Sequence, residues 1–441
     1  MWRYDPPRRR RGPSPGDAHR RQETALTSTP TRLDTPLTLR SGQTLPNRLM
    51  KSALSEGLAE PDGSPGTRLE TLYRRWSGGG YGLVVTGNVM VDRRHLGEPG
   101  NVVVEDERHL AALTRWAKGH REQGGPIWAQ VNHPGRQANR RVSGNRPVAP
   151  SAIAARVPGA SRPRALTDAE IREIITRFGT TAGVVEAAGF DGVQIHGAHG
   201  YLVTQFLSPR SNQRDDAWGG DPERRRRFVL EVLRAIRSSV SPGFSVGIKL
   251  NSADFQRGGF TEEESRDVVR ALVAEGIDLI EISGGSYEAP AMMGVMAEST
   301  RAREAYFLDY ARTVRSIAEG TPIAVTGGFR SRAAMDQALA DDDCDLIGLG
   351  RPACVTPDAA RALLERGVAR LDTPPIRVGA RPVLGRLTDL RPLDSAVNLQ
   401  WHAEQLHRMA AGHDPDPARP WYRTLTSMLR YGPAALTPKR G

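Results

Sequence analysis

The chain of 441 residues carries 61 Lys+Arg against 50 Asp+Glu, a formal net charge of +11, with 38% hydrophobic residues, 46 Gly and 32 Pro. It is long enough to bury a full core in one large or several smaller domains. No run nears the roughly 18–20 apolar residues that span a bilayer, no apolar stretch of a secretory signal follows the Arg-rich start, and Cys344 and Cys354 alone support neither a disulfide framework nor a cysteine-bound iron–sulfur cluster. A cytoplasmic protein without a membrane partner is expected.

Residues 1–35, with Arg8–Arg11 set among Pro, Gly and Ser, read as a disordered Arg/Pro-rich tail, because so little apolar surface cannot offset the entropy of ordering it. The lysines are Lys51, Lys118, Lys249 and Lys439, so nearly every cation is Arg. Such a bias points to a GC-rich coding sequence, and no nucleic-acid partner is expected. From about residue 36 short apolar runs alternate with stretches of helical period. The predicted strands are Leu49–Leu54, Gly82–Thr86, Ile127–Asn132, Gly192–His196, Ser245–Leu250, Leu279–Ser283, Ile323–Thr326 and Leu346–Gly350. The predicted helices are Thr67–Trp76, Glu107–Gln123, Asp168–Ala188, Pro222–Ser239, Glu262–Glu275, Glu304–Glu319 and Arg332–Leu339, with capping-box chemistry at Thr167/Glu170 and Thr261/Glu264. Apolar runs followed by amphipathic helices mean parallel strands buried on both faces. About eight units predict an α/β chain folded as a (β/α)8 TIM barrel over residues 36–373, with an inserted loop after the third strand; an open doubly wound sheet is the alternative. Residues 374–441 carry two amphipathic stretches, Ala396–Ala411 and Trp421–Leu429. They predict a C-terminal helical extension that packs on the barrel or mediates a homodimer.

The polar residues of interest follow the strand ends, which a barrel gathers at one mouth. They are Ser52-Ala53-Leu54-Ser55, Thr86-Gly87-Asn88, Gln130 with His133, His196-Gly197-Ala198-His199-Gly200-Tyr201, Lys249, Ser283-Gly284-Gly285, Thr326-Gly327-Gly328 and Gly350-Arg351. Gly327, Gly328 and Gly350 let backbone amides approach phosphate oxygens, and Arg351 supplies a forked cationic contact. Lys249 brings a point charge to the mouth, for a cofactor anion or for a carboxylate such as Asp254. Gln130 offers the paired donor and acceptor that a pyrimidine-like edge requires. His196 and His199 suit either donation to a substrate oxygen or, with His133 as third ligand, a metal-dependent lyase or hydrolase. Tyr201 is placed to give a proton.

At these positions the chain resembles the Old Yellow Enzyme family of NAD(P)H:flavin oxidoreductases. The stretch Phe190-Asp191-Gly192-Val193-Gln194-Ile195-His196-Gly197-Ala198-His199-Gly200-Tyr201, continuing through Gln205-Phe206-Leu207-Ser208-Pro209, is similar to the family signature. Asn212, Arg214, Asp215, Gly219, Gly220, Glu223, Arg225 and Arg227 extend it, and Asn47-Arg48, Gly135-Arg136, Lys249 and Gly350-Arg351 match as well. The resemblance implies a barrel with tightly bound FMN, held by Ser52, Ala53, Leu54, Ser55, Gly87, Gln130, Lys249, Gly327, Gly328, Gly350 and Arg351. It implies that His196 and His199 bind the carbonyl oxygen of a small-molecule substrate, that Tyr201 is the proton donor, and that NADH or NADPH gives hydride for reduction of an activated alkene. Ser55 stands where the family often has Thr or Cys, and Gly57 where one subgroup has a substrate-side Tyr. No cysteine motif follows Arg351, so the short type without an iron–sulfur domain is implied.

Overall fold

The computed structural model describes residues 31–156, 160–284, 305, 307–374, 376 and 391–431. The arginine run of the tail lies outside these residues. The alternation of apolar runs and amphipathic stretches resolves into strands β1 (Leu49–Lys51), β2 (Leu83–Met90), β3 (Ile127–Asn132), β4 (Gly192–Gly197), β5 (Ser245–Asn251), β6 (Leu279–Ser283), β7 (Ile323–Thr326) and β8 (Leu346–Leu349). Neighbours pair in parallel in the order β1-β8-β7-β6-β5-β4-β3-β2, and β1 pairs with β2 to close the ring. Helices α1 (Thr67–Ser77), α2 (Leu110–Arg121), α3 (Asp168–Ala187), α4 (Pro222–Ser239), α5 (Glu262–Ala274), α6 (Leu308–Arg315), α7 (Arg332–Ala340) and α8 (Ala359–Leu364) alternate with the strands. This is the expected (β/α)8 barrel. Both capping boxes form: the Thr167 and Thr261 hydroxyls accept the amides of Glu170 and Glu264, whose carboxylates reach back.

Three boundaries differ from expectation for identifiable reasons. β2 runs on to Met90 because a bulge between Val85 and Asn88 carries the polar Thr86-Gly87-Asn88 inside the strand, where it reads in sequence as a turn. β1 stops at Lys51, and the loop after it folds over Gly87 so closely that a Cβ there would lie 2.0 Å from Glu56 Oε2. Glu107–His109 is a separate 3-10 turn before α2, and the part of the predicted sixth helix before residue 305 lies outside the described residues. The insertion after β3 holds a short helix, Arg140–Ser143, and a two-stranded pair, Val148–Ala149 with Arg164–Ala165.

Beyond the barrel, α9 (Arg391–Ala410) lies along α1 and the short helix Pro352–Val355, and α10 (Trp421–Tyr431) packs on α9. Apolar burial drives this contact: Trp401, Leu406 and Met409 are buried. The His407 ring hydrogen-bonds the Glu56 carbonyl at 2.8 Å, so α9 also ties down the loop after β1. Among the described residues no helix is long and apolar enough to cross a membrane.

Candidate active site

Side chains alternate in and out along each strand, so the barrel interior is stacked in layers. The lowest layer is apolar. Met50, Leu83, Val85, Trp128, Leu279, Ala324 and Leu346 pack together against Leu39 and Leu45 of the N-terminal hairpin that pairs Leu37–Thr38 with Thr44–Leu45. Trp128 fills the centre because its neighbours are glycines: a Cβ at Gly192 or Gly247 would stand 2.7 Å from the indole.

One layer up the interior turns polar. The buried carboxylate of Glu281 on β6 takes the Lys249 ammonium at 3.1 Å and the Thr326 hydroxyl at 2.6 Å on Oε1, and Gln194 Nε2 at 2.7 Å on Oε2. Gln194 Oε1 in turn accepts from Gln130 Nε2 (2.8 Å), and Thr326 Oγ1 meets Ser52 Oγ (2.7 Å). A Cβ at Gly348 would lie 1.8 Å from Thr326 Oγ1, so β8 contributes a glycine where this network crosses the barrel. Sequence reasoning missed Glu281. Its signal was an acid inside the apolar run Leu279–Ser283, opposite Lys249 in the parallel register. Asp254, the carboxylate suggested for Lys249, accepts instead from Ser208 Oγ (2.5 Å) and the Phe260 amide (3.0 Å).

The rim carries His196, His199 and Tyr201. The His196 ring lies 5.1 Å from that of His199 and 4.7 Å from that of Tyr201, edge-on to both. Burial pushes both imidazoles down, His196 well below its usual value and His199 to about 3, with Lys249 adding to the effect; both are neutral at physiological pH. His196 Nδ1 accepts the Ala198 amide (3.3 Å), which leaves the ring proton on Nε2 as a donor. His199 is held at φ +62 by its amide on Asn251 Oδ1 (3.2 Å), its carbonyl on Gln137 Nε2 (2.9 Å) and its Nε2 against Ser283 Oγ (3.0 Å).

At the β7 and β8 ends, Gly327 (φ +140) and Gly328 (φ +94) make a tight turn open only to glycine. The amides of Gly327, Gly328 and Gly350 make no hydrogen bond to another described residue, and Arg351 is exposed without a carboxylate partner among them. Donors left open beside an uncompensated guanidinium have the chemistry of an anion site. On the β1 side, Ala53, Leu54 and Ser55 are half-buried, and Ser55 Oγ accepts from Asn88 Nδ2 at 3.4 Å. Gly87 differs from the rest. Its amide is taken by Glu56 Oε1 (3.0 Å) and Tyr73 Oη (3.1 Å), so what it offers a ligand is close approach. Below it Lys51, fully buried against Trp76 and the Val85 carbonyl, is pushed down to about 8 by burial.

His133 does not join His196 and His199. It sits with Asp92 and His95, a buried trio whose ligand atoms fall within 4.8 Å of one another. The polarity of this trio is wrong for a metal. The Gly135 amide donates to His133 Nδ1 (3.0 Å), so the neutral ring, with its pKa held at about 3 by burial, carries its proton on Nε2. Arg94 already grips both oxygens of Asp92 at 2.9 and 2.8 Å.

Residues 32–367 match the family model described as NADH:flavin oxidoreductase / NADH oxidase. An NADH-dependent flavin oxidoreductase (iliE) of Hypocrea jecorina is 41% identical over 349 residues, 73% of this chain and 86% of that protein. Another (iccE) from Talaromyces variabilis is 37% identical over 348 residues, 73% of this chain and 83% of its own. Among solved structures, a 2-naphthoyl-CoA reductase in complex with 2-naphthoyl-CoA is similar with a TM-score of 0.73 at 26% identity, covering 77% of this chain and 53% of that one. Morphinone reductase in complex with tetrahydroNAD gives 0.64 at 26% identity, over 78% and 93% of the two chains.

Proposed function

This chain belongs to the NADH:flavin oxidoreductase / NADH oxidase family, of the Old Yellow Enzyme type, and we propose that its barrel mouth binds FMN and passes hydride from NADH or NADPH to an activated alkene such as an α,β-unsaturated carbonyl compound. The observation that carries the reading is the pair of neutral imidazoles, His196 and His199, set above a buried polar layer that contains Lys249 and Gln130. The residues fit the cofactor. Gly327, Gly328, Gly350 and Arg351 would hold its phosphate, Gln130 and Lys249 its pyrimidine edge, and Ser52, Ala53, Leu54, Ser55 and Gly87 the ring system and ribityl chain. When bound, FMN supplies a hydride acceptor and donor at N5.

The side chains do the rest. His196 Nε2–H and the His199 ring donate to the carbonyl oxygen and draw electron density from the alkene, so its β-carbon accepts hydride. Both rings are neutral, His196 buried and His199 half-buried, and they supply this polarisation without giving up a proton. Tyr201, packed edge-on to His196, gives the proton to the α-carbon.

The visible spectrum of the purified protein, before and after anaerobic NADH or NADPH, tests the cofactor and the donor together. A flavin band bleached by either nucleotide and restored by cyclohexenone is expected. Colourless protein that takes up no FMN, or that holds stoichiometric zinc, overturns the reading. An anionic phenol should bind with its oxygen where the carbonyl oxygen would sit; Tyr201→Phe should retain that binding and slow reoxidation by the enone by roughly 10²-fold or more. Reoxidation at the parental rate in rapid mixing removes Tyr201 from its role.

A further inference from the structure

We propose that Glu281 is a positioning residue: its carboxylate orients an amide relay, Gln194 to Gln130, and offsets the charge of Lys249, so that this layer presents one fixed hydrogen-bonding face to the cofactor. The proposal rests on the FMN reading above.

The relay has a direction because a carboxylate can only accept. Glu281 Oε2 takes an N–H from Gln194 at 2.7 Å, which fixes which end of that amide is nitrogen. Gln194 must then turn its carbonyl oxygen to Gln130, and it accepts an N–H there at 2.8 Å. Gln130 is left with its own carbonyl oxygen and its second amide hydrogen, neither bonded to another described residue. One acceptor beside one donor is the complement of an imide edge, where N–H and C=O stand side by side. Without Glu281 both amides could rotate by half a turn and present either face.

The second effect is electrostatic. Lys249 is buried and faces Glu281 Oε1 at 3.1 Å, so the layer holds one positive and one negative charge away from water. A cation there favours the reduced flavin, which carries negative charge on its pyrimidine ring, and the adjacent carboxylate tempers that preference. Both carboxylate oxygens are committed within the network, Oε1 to Lys249 and Thr326 and Oε2 to Gln194.

Glu281→Gln tests the idea in the FMN-loaded protein, with the two-electron midpoint potential as the readout. Loss of the carboxylate charge should favour binding of the reduced over the oxidised cofactor by about tenfold, a rise of about 30 mV for a two-electron couple. Glu281→Asp should return the potential towards the parental value. A purely structural role would weaken both redox forms alike and leave the potential unmoved, so equal potentials in parent and Glu281→Gln overturn the proposal. Should Glu281→Gln not fold, Gln194→Met keeps the ion pair and cuts only the relay. It should weaken FMN about tenfold at unchanged potential, and parental FMN affinity in Gln194→Met overturns the proposal equally. Parental protein that binds no FMN at all is a failure of the functional reading, and is recognised before any variant is made.

Discussion

The lower and middle layers of this barrel occupy the same cylinder, one strand repeat apart, and are built on opposite principles. Below, Trp128 and its neighbours fill the space between eight strands with apolar volume, and a hairpin seals them from water. Above, Ser52, Gln130, Gln194, Lys249, Glu281 and Thr326 fill it with polar groups that bond one another and leave the Gln130 carbonyl oxygen and second amide hydrogen open among the described residues. An apolar layer stabilises through burial and is indifferent to orientation. A buried polar layer contributes less net stability, since each contact replaces one with water, but it fixes direction and charge. On the proposed function, stability and chemistry are therefore divided by height in the barrel, and the division can be broken from either side.

The largest expected effect is at the bottom. Trp128→Ala removes the biggest side chain of the lower layer, in a site whose glycines leave no neighbour able to fill the gap. It also deprives Gln43 Oε1 of the indole N–H that it accepts at 2.9 Å. A loss of about 3–5 kcal/mol in unfolding free energy is expected, read by urea denaturation. The FMN affinity of the fraction that stays folded should be close to parental. A variant that unfolds like the parent would show that the lower layer is not where stability lies.

Arg351→Ala reverses the pattern. The side chain is exposed and pairs with no described carboxylate, so the fold loses little. If Arg351 holds the phosphate as proposed, FMN loses a charge-assisted contact, on the order of 1.5–3 kcal/mol, or roughly tenfold to a hundredfold in Kd by fluorescence titration. Unchanged affinity would move the phosphate to other residues.

How legible this division was in the sequence depends on the period of each signal. Apolar runs such as Ile323–Thr326, and capping boxes such as Thr167/Glu170, are local, and both appear where the residues place them. The His196-Gly197-Ala198-His199-Gly200-Tyr201 stretch was legible as a unit because its members are contiguous, and the structure brings the three rings together. Pairings across strands were not. Lys249 looked towards Asp254, a few residues away in sequence, because the partner it meets, Glu281, is set by the register of β5 against β6. His133 matches the other rim histidines in type and position after a strand, but the loop after β2 delivers Asp92 and His95 to it instead. Gly87 read as a ligand contact, and only the fold of the Glu56 loop shows its amide already occupied.

The smallest expected effect separates the polar layer from the rim. Ser283 ends β6, two residues beyond Glu281 and on the same inward face, and its Oγ stands 3.0 Å from His199 Nε2. The ring is neutral, so it has one N–H to place. If the hydroxyl donates to Nε2, the proton lies on Nδ1 and His199 has a donor for the substrate oxygen; with the other tautomer the donor is spent on Ser283. Ser283→Ala removes that choice of tautomer without touching the ion pair or the amide relay. It should weaken binding of an anionic phenol by about 0.5–1.5 kcal/mol, roughly threefold to tenfold, and slow enone reoxidation by a similar factor. FMN affinity and the potential should stay at the parental values. A parallel loss of FMN would show that the rim and the polar layer are one unit rather than two, and unchanged phenol binding would show that the His199 tautomer is held by something other than Ser283.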